Sequence, residues 1–521
     1  MSFWRGFRQP ARYAVLLAGA APVLAFPAAN LEFLAWIGLV PGLALMRNAP
    51  TRREAVVRGW WFGTGYLLAA MYWLAPNLGP GLLLVAIVLG FLWSAVALAA
   101  WSLLRPPVTI RRALAALAVV PSCWLVTEWI RSWQGIGGPW AVLGASQWQH
   151  PAILGLAAVG GIWLVSFALV AANTGLLIAF IARLTAVRVV GAAGAIAAVL
   201  AGPVAFALTA PAPTAHPVTI ALVQPGPGYG PAPRLARSEA LTAAQAGRAD
   251  LFVWGESSVG YDLASRSGLL AGVEQTARTA GAEILINQDA LNTAGAKAKQ
   301  ATLIAATGVR GRYVKTRLVP FGEYIPFRSV LGWLDKISRA ASQNVVEGTG
   351  AHVLRATLPD GRSLTFGPLI CFESAFPDMS RVDTDNGSQL IIYQTSDSTF
   401  QASWAPPQHA ALGALRAAET GRPTVQAALT GDSAAFDARG RLLAWAGSDY
   451  RGVLLVHMDL PVGSAKTAYD ELGDYVAWLA VAVAAVAALI GVIRGQSERR
   501  SASRKAARSP AEVLTDKRLS G

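Results

Sequence analysis

The sequence predicts an α-helical transmembrane bundle of about eight helices that carries an extracytoplasmic α/β domain. Three observations lead to this class. Of 521 residues, 54% are hydrophobic and only 14% are charged, a balance found in membrane proteins. Apolar segments recur through the first 210 residues and once more near the C-terminus. In residues 211–473, short β-rich runs alternate with helical ones, which is the pattern of an α/β domain.

The apolar segments fall at about residues 13–29, 31–46, 56–76, 81–104, 113–130, 152–182, 189–210 and 475–493. A spanning helix needs about 20 apolar residues, which the third, fourth, seventh and eighth segments supply most clearly. The first two are short and contain Pro22, Pro27 and Pro41, so kinked or shallow helices are expected. The 152–182 stretch is too long for one untilted span and is expected to protrude. When the helices alternate across the bilayer, Arg5, Arg8, Arg12, Arg47, Arg52, Arg53, Arg58, Arg105, Arg111, Arg112, Arg183, Arg188 and the basic tail share one side. Arg131 alone occupies the short loops opposite. Positive charge in short loops marks the cytoplasmic face, which puts residues 211–473 outside the cytoplasm and the chain in the cytoplasmic (inner) membrane as a multi-pass protein.

The expected division is therefore residues 1–210 as a seven-helix N-terminal membrane domain and 211–473 as the outer domain. Residues 474–494 form the last helix, and 495–521 a basic, disordered cytoplasmic tail. The net charge of +14 does not mark a nucleic-acid binder. Residues 211–473 hold 23 basic and 23 acidic side chains, so the excess belongs to the membrane portion and the tail. Strand-like runs are Val218–Gln224, Leu251–Trp254, Glu283–Asn287, Ser363–Phe366, Leu390–Tyr393 and Gly452–His457; Ser267–Ala280 and Gln408–Thr420 read as helices.

Three residues at strand ends carry complementary chemistry. Glu256 follows Leu251-Phe-Val-Trp254, Lys315 follows Arg312-Tyr-Val314, and Cys371 follows Gly367-Pro-Leu-Ile370. Alone, Glu256 and Lys315 are weak signals, and Cys371 reads as readily as inert core as it does as a nucleophile. Together, a carboxylate, an amine and a thiol are the parts of acyl transfer through a thioester: base and acid, oxyanion partner and nucleophile. Lys315 is also expected to stabilise the Cys371 thiolate in part. The other cysteine, Cys123, lies in an apolar run and reads as a small buried hydrophobe. Glu128 and Arg131 read as a local ion pair, and Trp60, Trp61 and Trp73 as an interfacial belt. Trp133 and Trp140 are candidates to line lipid entry, and His409 reads as a support for its helix without a metal partner.

The order Glu256…Lys315…Cys371, with Leu318-Val-Pro-Phe-Gly-Glu323-Tyr after the lysine, resembles the nitrilase superfamily. Seven apolar segments before the domain and one after make the chain similar to the apolipoprotein N-acyltransferase family. Ala221-Leu-Val-Gln-Pro225, Gly138-Pro-Trp140…Gly144-Ala-Ser-Gln147, and Gln408-His409 followed by Arg416-Ala-Ala-Glu419-Thr-Gly-Arg-Pro423 also match. The resemblance implies a four-layer αββα sandwich and a Glu256–Lys315–Cys371 triad working by a ping-pong route. The acyl donor would be a membrane phospholipid and the acceptor the α-amine of the N-terminal diacylglyceryl-cysteine of lipoproteins. It implies supporting roles for Glu323 and Glu373, an ordinary salt bridge being the rival reading at Glu373. It also points to Trp140, Phe372, Asp397 and Phe400 as substrate-binding residues. No cofactor, metal or nucleic-acid partner is implied.

The chain departs from the family pattern at three places. Gly255 precedes Glu256 where Pro is usual, and Phe372 follows Cys371 where Tyr is common. Gln394-Thr-Ser-Asp397-Ser-Thr-Phe400 stands where an Asn-Asp-[Ser/Ala]-Trp-Phe run is expected, which bears on donor or acceptor preference. The alternative within enzymes is a membrane-tethered nitrilase-like amidase or hydrolase with a different acyl acceptor. A transporter with an outer binding domain would need intramembrane charges along a path, and only Glu128 and Arg58 come near that.

Overall fold

The computed structural model describes residues 10–209, 212–214, 217–228, 230–292, 294–332, 345–400, 402–463 and 465–508; Arg5, Arg8 and tail residues 509–521 lie outside these ranges. Five helices among the described residues are long and apolar enough to cross a membrane: Gly81–Leu104, Ile110–Arg131, Pro151–Ile181, Thr185–Leu208 and Tyr475–Arg494. Pro10–Ala25 and Leu34–Arg47 are shorter apolar helices, and Pro22 turns the first into a tighter 3₁₀ segment. The helix Arg52–Ala70 starts where Thr51 accepts a hydrogen bond from the Glu54 N–H. Glu54 gathers Arg12 at 2.6 Å and Arg58 at 3.3 Å, so one carboxylate is shared by two guanidinium groups at this end. The last helix continues to Arg508, so residues 495–508 are helical where disorder is expected from composition.

The length of Pro151–Ile181 is resolved by a break. Gly160 and Gly161 leave helical geometry, with Gly161 at φ 68°. A Cβ on Gly161 would meet the Tyr469 ring at 2.5 Å, so only glycine fits both the conformation and the contact. The break frees the Ile162 N–H, which donates to Glu419 at 2.8 Å. Glu419 is paired in turn with Arg416 at 2.7 Å, both fully buried, and Arg416 donates to the Ala375 carbonyl at 2.9 Å. Removing Glu419 leaves a buried guanidinium and a buried N–H without their acceptor. Glu419→Ala should lower stability by about 3–5 kcal/mol, measured by thermal unfolding of the purified protein.

Among the described residues the α/β domain holds twelve strands in two six-stranded sheets. The strands are β1 Val218–Gln224, β2 Leu251–Trp254, β3 Glu283–Leu291, β4 Lys297–Ala305, β5 Gly308–Val314, β6 Leu354–Thr357, β7 Ser363–Ile370, β8 Leu390–Thr395, β9 Thr424–Ala428, β10 Ser433–Phe436, β11 Leu442–Ala446 and β12 Gly452–Met458. The first sheet has the order β12-β1-β2-β3-β4-β5 and the second β11-β10-β9-β8-β7-β6. In each, the three central strands run parallel (β1-β2-β3 and β7-β8-β9) and the outer ones are antiparallel. Their inner faces meet: Gln394 on β8 donates to the Trp254 carbonyl at 2.8 Å, and Ser433 on β10 bonds Gln224 on β1. Helices Pro231–Ala243 and Ser267–Ala280 cover the first sheet, and Pro377–Asp385 and Ala405–Thr420 cover the second. The section is α-β-β-α. Helix Ala405–Thr420 also packs on Pro151–Ile181, so one helix joins the second sheet to the bundle.

Candidate active site

The parallel strands β2 and β7 place Glu256 and Cys371 at their C-terminal ends, and β5 delivers Lys315. Strand β2 is apolar and fully buried, and β7 is buried from Phe366 to Ile370, whereas β5, with Arg310 and Arg312, is mostly half-exposed. Gly255 has a structural reason. A Cβ there would meet the Leu429 N at 2.0 Å, because the ends of β2 and β9 touch across the two sheets. That contact carries Glu256 to the seam, where its N–H donates to the Thr395 carbonyl at 3.1 Å.

Lys315 is completely buried and lies between two carboxylates, Glu256 at 3.0 Å and Glu323 at 2.8 Å. Burial alone would drive its proton off, but Glu256 and Glu323 together hold its pKa well above the usual lysine value. Burial pushes Glu256 up, yet Lys315 and Lys299 outweigh it and carry this carboxylate below its ordinary range. The other oxygen of Glu323 accepts the Val319 N–H at 2.8 Å, fixing the turn that follows Lys315.

The Cys371 thiol lies near Glu256 and favours the ionised form of its carboxylate. It keeps some exposed surface while being densely surrounded by protein. Burial and the negative charge of Glu256 raise the thiol pKa well above normal, and Lys315 offsets this only in part. Lys315 thus stabilises the thiolate in part, as expected, while the raised pKa keeps Cys371 a thiol near the Glu256 carboxylate. Cys371 adopts φ 53°, a left-handed conformation that costs a non-glycine residue about 1–3 kcal/mol. Ser257, beside the base, has φ 54°.

Among the described residues Glu373 has no salt-bridge partner. It is fully buried and accepts from the Ile370 N–H (2.7 Å), the Thr316 N–H (2.6 Å), the Arg317 N–H (2.9 Å) and the Tyr313 hydroxyl (2.7 Å). Burial raises its pKa while these donors oppose the rise. One carboxylate thus ties the backbone before the nucleophile to the backbone after the lysine. Glu373→Ala leaves three buried N–H groups without their acceptor and should lower stability by about 3 kcal/mol or more, read from thermal unfolding.

The segment Gln394–Phe400 divides between two environments. Gln394 spans the sheets, donating to Trp254 and Leu285 carbonyls and accepting from Asn287 at 3.3 Å, so glutamine here is a strut. Asp397 is buried and faces His409 at 3.0 Å, which corrects its expected place on a substrate wall. Phe400 packs edge-on against Trp73, and Trp73 against Trp140, at ring separations of 5.0 and 5.3 Å. Trp73 is therefore part of an aromatic cluster rather than an interfacial belt. Phe372 is buried between Phe376 and Gly138. Glu128 and Arg131 do not pair with each other: Glu128 accepts from Trp124 and the Leu143 N–H, and Arg131 donates to the Trp140 carbonyl, pinning the loop that holds Trp140.

Lys299 escaped sequence reading. It bonds Asp289 at 2.6 Å and the Ser257 hydroxyl at 2.5 Å, adding positive potential near Glu256. Its signal, Asp289 opposite Lys299, exists only once the β3–β4 register is known.

A strained cysteine, an ionised glutamate and a charged lysine at the seam of an αββα sandwich define a nitrilase-fold enzyme of carbon–nitrogen hydrolase type. The carbon-nitrogen hydrolase family model matches residues 219–466, and the model of the apolipoprotein N-acyltransferase N-terminal domain matches 18–175. Proteins named apolipoprotein N-acyltransferase are similar along nearly their whole length. That of Azotobacter vinelandii is 30% identical over 93% of this chain and 96% of its own. Those of Geobacter metallireducens and Chlorobaculum tepidum are 29% and 28% identical, over 92% and 90% of this chain and 95% and 93% of theirs. The chain belongs to the apolipoprotein N-acyltransferase family.

Proposed function

We propose that this enzyme moves an acyl chain from a membrane phospholipid, through a thioester on Cys371, to the α-amine of an N-terminal diacylglyceryl-cysteine. In the first half-reaction Glu256 takes the thiol proton as sulfur attacks the ester carbonyl. The oxyanion forms against the Lys315 ammonium and the Phe372 N–H. Collapse breaks the ester C–O bond, Glu256 returns the proton to the leaving alkoxide, and a lysophospholipid departs. In the second half the lipoprotein amine attacks the thioester and Glu256 removes its proton. The C–S bond breaks, the proton passes to the sulfur, and the amide leaves.

The observation that carries this reading is the Lys315 ammonium bridging two carboxylates, one of them near the Cys371 thiol, in a chain of this family. Residues 1–210 and 474–494 supply eight membrane helices in the inner membrane, and residues 211–473 stand on its outer face. Both substrates keep their chains in the bilayer and present reacting groups at its surface. Trp140 and Phe400 line the way in, with Phe372 behind the nucleophile. The test incubates purified protein with phospholipid, then with a diacylated lipopeptide, and follows both by mass spectrometry. A hydroxylamine-labile adduct on Cys371 that passes to the peptide amine is expected. An adduct released only as free fatty acid would establish a hydrolase instead.

A further inference from the structure

The charged dyad Asp397–His409 lies outside the triad but touches it through the backbone. His409 is buried in the helix Ala405–Thr420. Its Nδ1 stands 3.0 Å from the Asp397 carboxylate and 3.3 Å from the Thr395 hydroxyl. Its Nε2 stands 3.1 Å from the Cys371 carbonyl oxygen and 2.9 Å from the Ser374 hydroxyl. A carboxylate and a carbonyl can only accept, so an imidazolium, protonated on both nitrogens, satisfies both contacts at once, with the Thr395 and Ser374 hydroxyls turned to accept. Burial disfavours the charge, but Asp397, the Cys371 carbonyl and Glu256 outweigh burial and raise its pKa.

We infer that His409 is a positioning residue for acyl transfer, acting through the Cys371–Phe372 peptide. The inference rests on the reaction proposed above. Cys371 has the strained φ of 53°, and the bond to its carbonyl orients the peptide that follows. That peptide carries the Phe372 N–H, the proposed oxyanion donor. A cation on its carbonyl withdraws density from the amide and makes that N–H a stronger donor as negative charge develops. Asp397 keeps the ring charged and turned. This gives the Gln394–Phe400 segment a role in the reaction through Asp397, without contact to substrate. The ionisable groups bearing on His409 are Asp397 after β8 and Glu256 after β2, while Cys371 after β7 contributes its backbone carbonyl. The Trp140 ring covers it at 5.4 Å between centroids.

The deciding measurement is the rate of Cys371 acylation by phospholipid, followed by mass spectrometry from pH 5.5 to 8.5, for the full-length protein and Asp397→Asn. Asparagine keeps the contact to Nδ1 but lowers the ring's affinity for its proton. A neutral ring protonated on Nδ1 then aims a lone pair at the Cys371 carbonyl. The variant-to-wild-type ratio should be near unity at the acid end and fall about tenfold or more by pH 8.5, with KM for phospholipid unchanged. A loss that is equal at every pH, or no loss, overturns the inference. His409→Gln and His409→Leu give a second reading that does not depend on the folding of Asp397→Asn. Glutamine can still donate to the Cys371 carbonyl and should retain more activity than leucine; equal rates would overturn the proposal. If the wild type forms no adduct, the acyl-transfer reading itself fails; if it does and the ratio is flat, only the role of His409 fails.

Discussion

Cys371→Ser and Cys371→Ala form no hydroxylamine-labile acyl adduct, and their turnover falls by about 10⁴–10⁶-fold. The reason lies in how the thiol is activated. Its pKa is raised by burial and by Glu256, so attack is coupled to proton transfer onto the nearby carboxylate. A serine hydroxyl in the same place is a far weaker acid and gives Glu256 a harder proton to take. Mass spectrometry with and without hydroxylamine reads the adduct, and lipopeptide conversion reads turnover. Cys371→Gly separates activity from stability. Activity is lost, while the strain of φ 53° is relieved, so the unfolding temperature should rise, by the equivalent of about 1 kcal/mol.

Lys315→Met is expected to lower the rate of Cys371 acylation by about 10²–10³-fold, because the oxyanion loses its cationic partner. It should also cost about 3–5 kcal/mol of stability near neutral pH. Glu256 and Glu323 are then buried or half-buried carboxylates facing the same gap without a counter-charge. The pH dependence has a definite sign. In the wild type Glu256 has a depressed pKa. Its contribution to stability is complete above the unfolded carboxylate value of about 4.3 and is lost as pH falls through the lower folded value. Lys315, whose pKa is raised, contributes stability that is complete below the unfolded lysine value of about 10.4 and is lost only in stronger base. The gap in unfolding temperature between wild type and Lys315→Met is therefore widest around neutral pH and narrows in acid as the carboxylates protonate. Thermal unfolding at pH 4 and pH 7 measures it. An equal gap at both values would mean that Lys315 is held for packing alone.

Much of the site was legible because it is written in residue type and local pattern. Val218–Gln224, Leu251–Trp254 and Ser267–Ala280 have the bounds that alternation and periodicity assign. Strands β4, β6, β9, β10 and β11 were not legible, being short or polar. Only the end of β5, at Arg312–Val314, was read, since β5 owes its strand state to pairing with β4 rather than to its own composition. The same limit hid the break at Gly160–Gly161. Two glycines in an apolar run are unremarkable until Tyr469 occupies the space a side chain would need.

By itself the sequence pointed to an α/β domain inserted between helices apolar enough to cross a membrane, and it picked out the glutamate, lysine and cysteine that the fold brings together. Hydrophobic period and residue chemistry are local properties, readable without coordinates. Only the tertiary structure decided protonation and strain. Glu256 and Lys315 are 59 residues apart in sequence and 3.0 Å apart in space, and that distance holds one ionised and the other charged. Likewise the Glu373 carboxylate, the Asp397–His409 dyad and the left-handed Cys371 backbone take their meaning from groups on other strands. Electrostatic energy in a buried site depends on separation and desolvation, and both are set when the two sheets close on each other.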